Sequence, residues 1–406
     1  MNSLTRPIDR AVIIVLDGVG VGAAPDAAAF GEADVLADSL GHTATAVGGL
    51  DLPHLTALGL GGVGEIAGVP PRADAAGAFG RMAEASAGKD TVTGHWEMAG
   101  VISRIAPPTY PHGFPPDVIA AFSAAVGRGV LGNKPASGTD IIAQLGDEHV
   151  RTGALIVYTS ADSVFQVAAH EDVVPLDELY AVCEKARALL GGPHAVTRVI
   201  ARPFLGPSGA YVRDNEARHD WALQPRQGNL LDKAVAAGLE VRGVGKISDI
   251  FAGRSVTSSV HALNNAEATA VTLALLREAA PWRGLLFSNL IEFDMVYGHR
   301  KDPHGYAQAL SAFDNALPAL QGALRDDDVL FITGDHGVDP TGPGTDHTRE
   351  YVPLLVTGPR VRAGVDLGTR ASFADLGATV AELLGLPALD DGVSFARDLG
   401  LDERPR

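Results

Sequence analysis

Three apolar runs in this chain each lead into an aspartate, and that repeated pattern constrains the fold more than any other feature. Residues 11–16 (AVIIVL) meet Asp17, the run starting at Leu285 (LLFSNLIEF) meets Asp294, and residues 329–333 (VLFIT) meet Gly334 and Asp335. Unbroken aliphatic and β-branched runs closed by an acid and glycine read as strands buried on both faces, as in a parallel sheet. In open α/β sheets ligands gather beyond the carboxyl ends of the strands, so all three acids fall where a site is expected.

Imidazoles accompany two of the three. His336 follows Asp335 directly, His347 lies eleven residues further on across a Gly- and Pro-rich loop, and His299 comes five residues after Asp294, beside Arg300 and Lys301. Carboxylate oxygen with imidazole nitrogen suits Mn²⁺, Zn²⁺ or Fe, whereas an all-oxygen set would suit Mg²⁺ or Ca²⁺. His304 and Asp339 read as supporting or surface groups, and His42 and His54 as structural. A competing idea, a dinucleotide loop at GVGVG (18–22), fails because the third glycine position is Ala23 or Pro25, depending on the register chosen.

Residues 86–100 (SAGKDTVTGHWEMAG) place Lys89, Asp90, Thr91, Thr93, His95 and Glu97 within nine residues. Such a segment can present a hydroxyl nucleophile, inert until a metal or base activates it. It also reads as a helix N-terminus capped by Asp90 or Thr91, with His95 and Glu97 in the first turns. The two roles are compatible, because a helix N-terminus stabilises phosphate. Spacing alone does not choose between Thr91 and Thr93. Six ligand-type residues and one hydroxyl suffice for two metal ions sharing a phosphoryl group.

At 406 residues the chain exceeds the usual single-core size. Its 48 glycines suit an α/β fold with many tight turns. If Asp17 and the 335–347 ligands share one site, the two ends of the chain form one domain, 1–106 with 222–406. Residues 107–221 are then an insertion, entered through PPTYPHGFPPD and left through a polar, Arg-rich stretch. Arg198 and Arg202 share a face of a strand-like run by its period of two, Asp162 ends another strand, and Lys246 lies just after re-entry. Arginine forks match phosphate oxygens, so a phosphosugar could be held between insertion and core.

A net charge of −17 argues against nucleic-acid or anionic-membrane partners and requires a local basic island for any anionic substrate. The single Cys183 excludes an internal disulfide framework, and its helical setting indicates packing. The first apolar run is too short for a signal-peptide core of about 7–15 residues, so a soluble, cytoplasmic protein is expected.

From VIIVLDGVGVGAAPDA through GKDTVTGHWE, LGNKPASGT, LIVYTSADSV, RVIARPF and GKISDI to EFDMVYGHRKDP and TGDHGVDPTGPGTDHTREYVPLL, the chain resembles the bacterial phosphopentomutases (phosphodeoxyribomutases) of the alkaline phosphatase superfamily. The resemblance implies an α/β core with a central, mostly parallel sheet flanked by helices, plus a smaller inserted α/β cap. It implies two Mn²⁺ ions, with other divalent metals admitted. Asp17, Asp335 and His336 would hold one ion, Asp294, His299 and His347 the other, and Thr91, the phosphorylated residue, would bridge them. Ser160, Asp162, Arg198, Arg202 and Lys246 would surround the sugar phosphate.

The implied reaction interconverts ribose 1-phosphate and ribose 5-phosphate, and their 2-deoxy equivalents, in nucleoside catabolism and salvage. A sugar bisphosphate such as glucose 1,6-bisphosphate would prime it, and cap closure would exclude water. Gly18 and Val338 depart from the family's usual serine and asparagine without removing a ligand. A phosphatase or phosphodiesterase on the same core would share all six ligands but release phosphate. A cofactor-independent phosphoglycerate mutase would use serine where Thr91 stands, and a non-catalytic metal-binding protein would be indifferent to loss of the Thr91 hydroxyl. The oligomeric state is not legible.

Overall fold

The structure, a computed structural model, describes residues 7–160 and 163–401. Strands β1 (Arg10–Leu16) and β2 (Ala78–Met82) come first. Then follow β3 (Val130–Pro135), β4 (Leu155–Thr159), β5 (Val164–His170), β6 (Arg198–Leu205), β7 (Val212–Arg213) and β8 (His219–Ala222). The chain continues through β9 (Glu240–Val244), β10 (Ser258–Val260), β11 (Gly284–Leu290), β12 (Asp328–Thr333), β13 (Val352–Thr357) and β14 (Asp366–Arg370). Two compact units result: residues 106–224 form one, and the flanking parts of the chain form the other.

The flanking unit carries an eight-stranded sheet in the order β10-β9-β11-β1-β12-β13-β2-β14, parallel except where β13 joins its neighbours β12 and β2. Every residue of β1, β11 and β12 is buried, as their unbroken apolar sequences require. Val12, Ile14, Leu286, Leu290, Leu330 and Ile332 pack into one core with residues of the Asn265–Leu276 and Pro303–Gln321 helices. Full burial of each such side chain stabilises by about 1.5–3 kcal/mol. On the opposite face, His95 of the Thr91–Met98 helix stacks on Phe287.

At the start of the central pair, Arg10 and Asp328 are register partners joined by a two-point ion pair with no exposed side-chain surface. Arg10 Nη1 also donates to the Leu276 carbonyl at 3.0 Å.

The inserted unit has a six-stranded sheet ordered β3-β4-β5-β6-β7, with β8 also pairing β6. Ala222 pairs with Arg198, so this ladder carries the unit past residue 221 to 224. Phe114, Phe122 and Phe165 anchor one of its cores, which also buries Cys183, and burial pushes that thiol far above its ordinary pKa. Ile141, Ile142, Tyr158 and Phe204 form a second core. Among the described residues no helix is long and apolar enough to cross a membrane.

Candidate active site

Register sets the acids side by side. Strands β11 and β12 flank β1, run parallel to it, and start level with it, Arg10 pairing with both Gly284 and Asp328. Their C-terminal ends therefore align, and Asp17 and Asp335 emerge at one edge of the sheet. Asp294 lies beyond β11 on a π-helical turn, Phe293–Gly298. On an α-helix residues five apart are rotated by about 140° and face different ways. A π-turn, closing i→i+5, stacks them. The His299 amide donates to the Asp294 carbonyl at 3.0 Å, and His299 Nε2 stands 3.2 Å from Asp294 Oδ1.

His347 returns on the loop after β12, its Nε2 3.3 Å from the same oxygen, with its ring 4.0 Å from that of His336. The loop is shaped by buried Asp339, whose Oδ1 accepts from the amides of Thr341 and Gly342 while Oδ2 meets His42 Nδ1 at 2.6 Å. His42 and Asp339 are thus the loop's support.

A backbone carbonyl can only accept, so the contact of His336 Nδ1 with the Gly337 carbonyl at 3.0 Å puts a proton on Nδ1. His336 Nε2 then faces Asp17 Oδ1 at 3.4 Å and Asp335 Oδ2 at 3.5 Å. His299 is oriented in the same way, its Nδ1 bonded to the Thr345 carbonyl.

The charges are strongly coupled. Burial, reinforced by neighbouring Asp335, holds Asp17 above the usual carboxylate range. Burial would likewise raise Asp294, but the His299 and His347 imidazoles outweigh it and carry that carboxyl below the usual range. For His336 burial acts downward, and the Asp335 and Asp17 carboxylates overcome it and push the imidazole well above its ordinary value.

Two buried carboxylate oxygens, Asp294 Oδ1 and Asp335 Oδ2, accept no hydrogen bond, which is costly unless a cation completes them. Ligand atoms of Asp17, Asp335 and His336 lie within 4.8 Å of one another, as do those of Asp294, His336 and His347. The two groups share His336, and their stranded oxygens, inward-facing imidazole nitrogens and mixed oxygen and nitrogen donors fit divalent-cation binding.

Above them begins the Thr91–Met98 helix. Asp90 is its N-cap, accepting from the amides of Val92 and Thr93 at 3.1 Å each. The two threonines have different surroundings. Thr93 donates its hydroxyl to Asp90 Oδ2. Thr91 Oγ1 instead lies 3.2 Å from His336 Nε2 and 3.5 Å from Asp17 Oδ1. Gly94 lets the helix approach closely, since a Cβ there would meet the Asp335 carbonyl oxygen at 2.2 Å.

Lys246 follows β9, its Nζ 4.0 Å from Sδ of Met295, the neighbour of Asp294. In the inserted unit, Arg198 and Arg202 both lie on β6, where Arg198 meets Asp220 at 3.6 Å and Arg202 Nε donates to Gln166. Ser160 follows β4, and Asp162 lies outside the described residues. Sequence reasoning passed over Asn289, whose amide donates to Asp17 Oδ2 at 2.9 Å. The signal for it was a polar pair, Ser288-Asn289, inside a buried apolar run, where each group requires a partner.

The family model of the Metalloenzyme superfamily matches residues 9–388. The sequence is 56% identical over 392 residues to a phosphopentomutase of Herpetosiphon aurantiacus, covering 97% of this chain and 99% of that protein. It is 56% identical over 390 residues to a phosphopentomutase of Symbiobacterium thermophilum, covering 96% and 98%. Among solved structures, the PH0037 protein from Pyrococcus horikoshii aligns with a TM-score of 0.47 and 15% identity, over 94% of this chain and 98% of that one.

Proposed function

Because the chain belongs to the phosphopentomutase family, within the Metalloenzyme superfamily, we propose that it interconverts α-D-ribose 1-phosphate and D-ribose 5-phosphate, and the 2-deoxyribose equivalents, through a phosphothreonine at Thr91. The route serves nucleoside catabolism and salvage. Asp17, Asp335 and His336 would hold one divalent cation and Asp294, His299 and His347 a second, both Mn²⁺ in this reading. When bound, such ions supply positive charge for the phosphoryl oxygens and favour ionisation of a nearby hydroxyl.

In the forward half-reaction the bond between phosphorus and Thr91 Oγ1 breaks, a bond from phosphorus to the free sugar hydroxyl forms, and the proton of that hydroxyl ends on Thr91 Oγ1. A pentose 1,5-bisphosphate results, and its other phosphoryl group returns to Thr91 by the reverse of the same step. The N-terminal end of the Thr91–Met98 helix, where the macrodipole favours negative charge, would stabilise the phosphoryl group. Ser160, Asp162, Arg198, Arg202 and Lys246 hold the sugar phosphate, the arginines by two-point contacts. Exclusion of water from the phosphothreonine separates a mutase from a phosphatase. Glucose 1,6-bisphosphate or another sugar bisphosphate charges Thr91 initially.

What supports this reading above all is the contrast between the two hydroxyls: Thr93 is committed to Asp90, while Thr91 faces His336 and Asp17. The test combines mass analysis for phosphothreonine, after incubation with glucose 1,6-bisphosphate, with a coupled assay for ribose 5-phosphate from ribose 1-phosphate. Modified Thr91 with turnover is expected, and Thr91→Val should abolish both while retaining metal. Release of inorganic phosphate without isomerisation would overturn the mutase reading in favour of a phosphatase.

A further inference from the structure

We propose that Asn289 and His95 are a positioning pair for the site, tying the Asp17 carboxylate to the backbone of the nucleophile residue; the inference rests on reading Asp17 as a metal ligand. Asn289 is the penultimate residue of β11 and is 1% exposed, and His95 is fully buried. Asn289 Nδ2 lies 2.9 Å from Asp17 Oδ2 and 3.3 Å from His95 Nε2, while His95 Nδ1 lies 2.8 Å from the Thr91 carbonyl oxygen.

Only one arrangement of protons satisfies this chain. The Thr91 carbonyl can only accept, so His95 Nδ1 carries the hydrogen, and the neutral ring presents a lone pair at Nε2. The Asp17 carboxylate also only accepts, so Asn289 turns its amino group inward and spends one hydrogen on Asp17 and the other on His95. Rotating that amide would set its oxygen against the carboxylate. In agreement, Asn289 Oδ1 is the end left without a partner.

Three links therefore run from Asp17 through Asn289 and His95 to Thr91. They fix Oδ2, leave Oδ1 directed at His336 and Thr91, and hold the separation of Asp17 from the hydroxyl. His95 Nδ1 also stands 3.2 Å from Asp335 Oδ2, with its proton directed at the Thr91 carbonyl, so that oxygen stays available. A neutral amide orients an acid without discharging it, whereas a lysine at 289 would compete with the cation. Groups that orient metal ligands in this manner typically change affinity about 10–100-fold when removed.

The test is calorimetric titration of EDTA-treated, full-length protein with Mn²⁺. Wild type should take up two ions. Asn289→Leu, similar in shape but without donors, should weaken one of the two sites about 10–100-fold and leave the other unchanged. Two variants at position 95 keep the inference testable if that protein does not fold. His95→Gln can still accept from Asn289 and should bind close to wild type; His95→Asn can serve the Thr91 carbonyl but not Asn289 and should resemble Asn289→Leu. Wild-type affinity in Asn289→Leu, or a greater loss in His95→Gln than in His95→Asn, would overturn the pairing while the metal assignment stands. A wild-type protein that takes up no Mn²⁺ would overturn the metal assignment itself.

Discussion

Glu97→Gln should loosen the two segments that it ties to the Thr91–Met98 helix far more than an isosteric exchange suggests. Glu97 is fully buried and gathers five donors from two segments, 85–86 and 372–373. Oε1 accepts from the Ala85 amide at 2.9 Å, the Ser372 hydroxyl at 2.7 Å and the Phe373 amide at 2.9 Å. Oε2 accepts from the Ser86 amide at 2.6 Å and the Ser86 hydroxyl. A glutamine can keep its oxygen toward the first three, but its amino group then confronts the Ser86 amide, hydrogen to hydrogen. Stranding that buried N–H costs about 1–3 kcal/mol, and the three retained bonds lose their charge assistance.

The total is about 3 kcal/mol, or roughly 100-fold in a local opening equilibrium. Hydrogen exchange read by mass spectrometry on peptides covering Ser86 and Phe373 would show it as faster exchange of those amides, while amides of β1 and β12 stay protected. Unaltered exchange at both positions would refute the reasoning, since five hydrogen bonds to one carboxylate would then be energetically idle.

Gly18 and Val338 are contact partners: Gly18 has φ +78°, and a Cβ there would lie 2.5 Å from Val338 Cγ1. Gly18→Ala should destabilise by about 2–3 kcal/mol, and Val338→Ala in the same chain should recover about 1 kcal/mol, the steric part only, in a double-mutant cycle read by denaturant midpoint. Asp328→Ala should cost about 3–5 kcal/mol by leaving Arg10 buried and uncompensated, a loss that Arg10→Met in the same chain partly reverses in thermal unfolding. Burial raises the Glu350 carboxyl from its ordinary 4.5 to about 7. Its contribution is therefore fully present below the unfolded value and lost as pH rises through the folded one. About 3 kcal/mol of stability should disappear between those limits, and Glu350→Gln should flatten that slope in urea unfolding measured across the range.

The amino-acid sequence by itself determined the strands that matter, because a strand buried on both faces must be apolar throughout and β1, β11 and β12 can be read for that reason. It also determined the chemical types at their ends and, through Asp90, the start of the helix that presents Thr91. Tertiary structure decided what depends on register and rotation. Parallel pairing with level starts aligns Asp17 with Asp335, and only a π-turn beyond β11 brings Asp294 and His299 to one side, an arrangement that spacing of five would deny on an α-helix. Thr91 and Thr93 are alike in sequence and separated by which hydroxyl Asp90 occupies. Gly18 and Val338 look like independent departures until the fold sets them in contact, and Asn289 and His95 look like core polarity until Asp17 and Thr91 close on them. The physical reason is common to all of these: composition and periodicity report burial along one chain segment, whereas a hydrogen bond or a ligand set is a relation between segments that only packing brings together.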